Sequence, residues 1–225
     1  MKAGLKSRAE LELDRFALDP YCRLYLPFWK LDGDSFMSRD AHGHLCTNHG
    51  SIWTPYGRSF DGVDDYVEVA NSASISDYSS GVTVCLWFKA DRTDVNQGQF
   101  GQNGPGYLNF WMAGGSPATR LRWETNAGQS FSSNTQIYAN KWYFACGVYD
   151  TSLTENQAKL YINGNLDNEK TLTFTTEKTD DITIGGYSPT SYLFKGLIGE
   201  VRIYNRALIP QEILDHYIIG KEMFG

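Results

Sequence analysis

The sequence predicts an all-β protein, an antiparallel sandwich closed by a short C-terminal helix. Three observations point there. In the stretch 82–91, Val82, Val84, Leu86 and Phe88 alternate with Thr83, Cys85, Trp87 and Lys89, the period of two that marks half-buried antiparallel strands. Asn163-Gly164 follows the strand-like Lys159–Ile162, and both residues tolerate the positive φ of a tight hairpin turn. The chain has 225 residues, 41% hydrophobic and 14% aromatic, enough for one large core without staples or metals.

Taken in order, residues Met1–Pro20 read as an arm or a short helix over Ser7–Leu18, stopped by Asp19-Pro20, and residues 21–225 read as one domain. Arg23–Leu31 is strand-like, but Pro27 has no amide hydrogen for a ladder and so belongs at an edge or a bulge. Asp32–Pro55 is rich in Gly, His, Ser and Asn and reads as loop with a few short strands. Val67 and Val69 alternate around Glu68. Further strands are expected at Tyr107–Met112, Thr119–Thr125, Lys141–Tyr149, Asp181–Gly185 and Leu197–Tyr204. Pro210–Ile219 reads as the helix, with Pro210 in its first turn and Gly220 as its stop.

The net charge of −6, with no basic cluster, argues against nucleic acid, because phosphate neutralisation needs grouped Lys and Arg. No apolar run approaches the roughly 20 residues of a membrane span. The N-terminus lacks the apolar stretch of a secretory signal, so no signal peptide is visible. An extracellular location then implies a trimmed leader or another exit, such as release of a virion by lysis.

Enzyme signatures are missing. A glucanase-type E-x-D-x-x-E strand supplies paired carboxylates, and the nearest string is Glu12-x-Asp14-x-x-Ala17, whose last residue cannot transfer a proton. His42, His44 and His49 crowd one loop with Asp40 and Cys46, but without the paired spacing of a closed zinc site. There is no G-x-S-x-G elbow and no phosphate loop. Glu200 and Arg202 lie two apart on a strand and share a face, which reads as a surface ion pair. Asp61, Asp64 and Asp65 around Gly62 read as turn caps for nearby amides.

SFDGVDDYVEV (Ser59–Val69) and GLIGEVRIYNRAL (Gly196–Leu208), with VTVCLWFKAD, KWYFACGVYD and KLYINGN between them, resemble the laminin-G-like, concanavalin A-like family over about Leu24–Tyr217. The resemblance implies an antiparallel jelly roll that holds a glycan or a neighbouring protein. The closing phrase departs from the family at Gly199, where Asp is customary. A structural calcium ion is implied at Asp40 and Glu200. Similarity to pentraxins implies a Cys85–Cys146 disulfide, leaving Cys22 with Cys46. Buried thiols are the alternative for both pairs.

Pentraxins hold paired calcium ions in two loops that resemble Asn103–Asn109 and Gly185–Phe194 here, and neither stretch contains a carboxylate. They carry instead Asn103, Tyr107, Asn109, Tyr187 and Tyr192, rings and amides suited to the CH faces and hydroxyls of a sugar. Trp111 and Trp123 on nearby strands read as core. The expected function is a non-catalytic carbohydrate-binding or adhesion module on an extracellular or virion surface. The alternative is a structural protein of an extracellular assembly, a phage decoration or fibre, that docks through Met1–Pro20 as a homo-oligomer or within a virion.

Overall fold

The computed structural model describes residues 16, 18–30 and 33–225. The arm or helix expected before Phe16 lies outside the described residues. In chain order the strands are β1 (Cys22–Pro27), β2 (Ser35–Met37), β3 (Leu45–His49), β4 (Ile52–Thr54), β5 (Gly57–Asp61), β6 (Tyr66–Val69), β7 (Val82–Ala90) and β8 (Gln97–Gln102). They continue with β9 (Leu108–Ala113), β10 (Ala118–Asn126), β11 (Gln129–Ser132), β12 (Ile137–Tyr138), β13 (Trp142–Tyr149), β14 (Ala158–Ile162), β15 (Asn165–Lys170), β16 (Ile182–Ile184) and β17 (Lys195–Tyr204). One helix, α1 (Pro210–Phe224), follows.

The strands form two antiparallel sheets packed as a jelly-roll sandwich. The back sheet runs β15-β14-β13-β7-β17-β5-β4, with β1 also on β17. The front sheet runs β11-β10-β9-β8-β16-β6-β3-β2, with β12 on β10. Between them lies the main core, where Phe60, Leu86, Phe88, Phe100, Phe110 and Trp123 are all essentially buried. Each such side chain contributes roughly 1.5–3 kcal/mol of burial. Trp123 is therefore core, as expected. Pro27 ends β1, which pairs on one side only, with β17.

A second core covers the outer face of the back sheet. Trp87, Phe144, Cys146 and Tyr204 point outward there and are buried beneath α1 through Ile213 and Phe224. These strands are consequently buried on both faces rather than half-buried. The helix also runs past Gly220 to Phe224. Gly220 is a packing glycine instead of a stop, because a Cβ there would stand 2.3 Å from Trp87 Nε1. At the other end Pro210 starts the helix, and the Ile209 N–H donates to Glu212 Oε2 at 2.9 Å, a cap on an otherwise orphaned amide.

Cys85 and Cys146 stand directly opposite each other on β7 and β13, with Cα atoms 4.1 Å apart and a disulfide between them. Cys22 and Cys46 do not pair, since Cys22 lies beneath α1 and Cys46 in the main core. The register of β17 against β7 shifts between Ile198 and Glu200, which makes Gly199 the extra residue of a bulge. The bulge lets Ile198, Val201 and Ile203 all face the main core, while Glu200 and Arg202 turn to the helix side.

Candidate functional site

The site is built on the outer face of the front sheet, beginning with two glycines in β8. A Cβ at Gly98 would lie 2.2 Å from the Tyr187 nitrogen, and one at Gly101 would lie 2.2 Å from the Tyr187 oxygen. The 185–194 loop therefore rests directly on bare backbone. The Gly98 N–H donates to Tyr192 O at 2.6 Å, and the Gly185 N–H to Gln99 O at 3.0 Å. Tyr192 itself adopts φ of 51°, a left-handed conformation that a tyrosine holds only where its surroundings fix it.

Leu108, Phe110 and Met112 of β9 face the core, so Asn109 and Trp111 point outward. On β10 the same parity turns Arg122 and Glu124 outward, paired with Trp111 and Asn109 respectively. The Arg122 guanidinium lies 4.6 Å from the Trp111 ring centre on the β10 side. From the β8 side Tyr192 stacks on Trp111, with centroids 6.1 Å apart and planes 16° apart. Tyr187 meets Trp111, Tyr192 and Tyr107 edge-on at 6.4, 5.7 and 6.0 Å. The result is a row, Arg122–Trp111–Tyr192, with Tyr187 and Tyr107 beside it.

Glu124 is the buried anchor of this row. Its Oε2 accepts from the Tyr187 hydroxyl at 3.0 Å and from Asn109 Nδ2 at 3.3 Å, while Oε1 accepts from the Gly128 N–H at 3.3 Å. Burial, reinforced by the Glu124 charge, pushes the Tyr187 phenol well above its ordinary pKa of 10. Asn109 is fully buried. Its Oδ1 accepts from the Gln102 N–H at 3.2 Å, and its Nδ2 also donates to Asn103 Oδ1 at 3.3 Å. Asn103 Nδ2 in turn donates to Tyr187 O at 3.0 Å.

The structure thus brings Asn103, Tyr107, Asn109, Tyr187 and Tyr192 into one cluster and divides their tasks. The two asparagines hold the loops, and the tyrosines form the face. Tyr192 is 44% exposed and ends the row. Sequence reasoning missed Glu124 and Arg122 and placed Trp111 in the core. The available signals were the parity of Trp111 against Leu108 and Phe110, and two glycines within a strand, which mark a close backbone approach.

Asp40 and Glu200 do not suit a calcium ion. Glu200 and Arg202 are a buried pair, with Arg202 Nε 2.5 Å from Glu200 Oε1 and Arg202 Nη2 3.2 Å from Oε2. This corrects the expectation of a surface ion pair. A cation at Glu200 would sit beside a guanidinium it must displace. Asp40 is a turn cap, its oxygens accepting from the Tyr25, His42 and Gly43 amides at 2.9, 2.8 and 3.2 Å.

His42 and His44 stack with ring centroids 5.9 Å apart, but among the described residues no histidine joins a group of three close metal-capable side chains. Arg23 Nη1 lies 2.9 Å from His42 Nε2, His44 Nε2 lies 2.8 Å from Arg23 O, and His49 stacks on Tyr66 at 4.2 Å. Burial and the Arg23 charge lower the His42 pKa. Among the described residues the one group of three close metal-capable side chains is Asp61, Asp64 and Asp65. There Asp61 accepts from the Val63 and Asp64 amides and Asp65 from the Asp61 amide, an arrangement of turn caps.

The model of one family, the concanavalin A-like lectin/glucanases superfamily (Laminin_G_3), matches residues 61–214. No curated protein is matched by sequence. Among solved structures, the chain is similar to the botulinum neurotoxin serotype G binding domain, at 15% identity and TM-score 0.66, over 88% of this chain and 51% of that one. It is similar to Trypanosoma rangeli sialidase in complex with 2,3-difluorosialic acid, at 15% identity and TM-score 0.68, over 97% of this chain and 38% of that one. It is also similar to domain 4 of an extracellular arabinanase from Geobacillus stearothermophilus in complex with arabinotriose. That match has 20% identity and TM-score 0.61, over 87% of this chain and 98% of that domain. The chain spans about half of the toxin domain and less of the sialidase, so these likenesses describe the fold.

Proposed function

Since the chain belongs to the concanavalin A-like lectin/glucanase superfamily, we propose that it is a non-catalytic carbohydrate-binding or adhesion module whose ligand lies on the front-sheet aromatic face. The observation that carries this is the row ending in Tyr192, with Tyr107 and Tyr187 at its side and Asn103 at its rim. Flat rings pack on sugar CH faces, and neighbouring polar groups fix hydroxyls. The arabinotriose held by the arabinanase domain makes a short neutral oligosaccharide a sensible first probe.

Hydrolysis is less well supported. Glycosidases pair two carboxylates, or use a tyrosine nucleophile beside an acid. Tyr187 and Glu124 are the nearest approach to the second arrangement, yet the phenol pKa is raised, whereas an activated nucleophile needs it lowered. Display on an extracellular or virion surface is supported by the Cys85–Cys146 disulfide, because such bonds persist in oxidising compartments.

The alternative role in an extracellular assembly, with the N-terminal segment docking to a neighbour or to a second copy, rests on Phe16. It packs on His216 with ring centroids 3.9 Å apart, which puts Phe16 on the outer side of the back sheet. Affinity electrophoresis against immobilised polysaccharides tests the binding reading, with Tyr192→Ala expected to abolish retardation. No retardation on any glycan rejects it. Light scattering on the chain with and without residues 1–15 tests the assembly reading, which a concentration-independent monomer rejects.

A further inference from the structure

We propose that the glycan held on this face is acidic, a sugar chain bearing carboxylates that Arg120 and Arg122 read. This inference rests on the binding reading above and specifies its ligand. The protein carries a net charge of −6, and three of its arginines are paired with carboxylates. Arg92 pairs with Asp94, Arg202 with Glu200, and Arg206 with both Asp19 and Glu212. Arg120 and Arg122 have no carboxylate partner among the described residues. They lie two apart on β10 and point to the ligand face.

Both cations are held in place by neutral groups. Arg122 Nη2 donates to Ser130 Oγ at 2.9 Å while its plane rests on Trp111. Its Nε is shielded and makes no hydrogen bond among the described residues. Arg120 Nη1 donates to Ser133 O and Asn134 O, each at 2.6 Å. Beside it lies a cavity of about 290 Å³ floored by Ala113, Gly114, Gly115 and Ala118 and edged by Gln136. Carbonyl and ring contacts fix a guanidinium without cancelling its charge, so little ordering remains to be done when an anion arrives.

The acid within the aromatic row, Glu124, is buried, and its oxygens are occupied by Tyr187, Asn109 and Gly128. A neutral glycan would need rings and amides only. Two uncompensated cations continuing the aromatic row suit a ligand whose sugar ring lies on Tyr192 and whose carboxylate meets the planar fork of an arginine.

Isothermal titration of the full chain with oligogalacturonate, dextran sulfate and a neutral arabino-oligosaccharide, at low and high salt, tests this. Oligogalacturonate is expected to bind tightest and to weaken as salt rises. R120Q and R122Q should each weaken it about tenfold or more and flatten its salt dependence. Y192A should abolish binding of every ligand, with melting curves confirming that each variant folds. Neutral sugar bound as tightly as oligogalacturonate, or arginine variants without effect, overturns the acidic-ligand proposal and leaves the binding reading standing. Dextran sulfate bound in preference to oligogalacturonate overturns the carboxylate assignment. No binding to any of the three overturns proposal and reading together.

Discussion

Phe224 occupies the space that a side chain on Gly199 would need, since a Cβ there would stand 2.4 Å from Phe224 Cε1. The last aromatic of the helix thus sits on the bulge of β17, at the position where the resembling family carries Asp. Phe224 also packs against Trp29, Trp87 and Trp142, with ring centroids 5.8, 5.0 and 4.9 Å apart. A side chain at position 199 and this seat for Phe224 compete for the same space.

Restoring the family residue should therefore harm this protein. Gly199→Asp is expected to cost about 1–3 kcal/mol through overpacking, read as a lower urea midpoint. In a Phe224→Ala background, itself costing roughly 3–5 kcal/mol, most of the extra penalty should vanish. Additive losses would mean that Gly199 matters for the bulge alone.

Gly98→Ala separates the face from the fold. Its Cβ would collide with the Tyr187 backbone, so the 185–194 loop must lift and carry Tyr187 and Tyr192 with it. Glycan affinity should fall at least tenfold, while the far-ultraviolet circular dichroism stays that of a β-sandwich. Full affinity in this variant would remove the loop from the binding face.

His216 sets an acid limit on stability. It is buried under Phe16, with Tyr204 Oη 3.1 Å from its Nε2, and burial together with Arg202 and Arg206 holds its pKa well below 6.5. The unfolded chain takes up that proton near pH 6.5, whereas the folded chain resists it, so the unfolded state binds more protons below this pH. Stability should fall as pH drops from about 6.5 towards 5, by up to roughly 1.4 kcal/mol per pH unit. Glu212, whose pKa the Arg206 hydrogen bonds lower, adds its loss only below its ordinary value of 4.5. Urea melts at pH 7 and pH 5 should show this slope in the natural chain and a flatter one in His216→Gln.

Chelation is expected to leave the melting temperature unchanged, because Asp40 and Glu200 are committed to amides and to Arg202. Asp40→Ala should still cost about 1–2 kcal/mol as a lost cap, equally with and without chelator. A melting temperature that drops with chelator in the natural chain and not in the variant would place an ion at Asp40.

The sandwich was legible because its strands alternate, as in 82–91, and because Asn163-Gly164 marks a turn. The buried outer face was less so. Both parities of VTVCLWF and YFACGVY are apolar, a sign of strands covered on two sides, yet nothing in the pattern names α1 as the cover. Glu200 and Arg202 look like surface residues for that reason. The tyrosines of the site were readable from loop composition, while Glu124 and Arg122 were hidden, since strand alternation gives a side chain's face and not its neighbours across the sheet.

Phe16 and Phe224 both pack on the outer side of the back sheet, while Tyr192 and Trp111 lie on the outer side of the front sheet. Anything joined beyond Phe224 departs from the side away from the aromatic row. Grafted to a bead, a particle or a longer chain by its C-terminus, the module would point its tyrosines outward, and a tether there would not shade them.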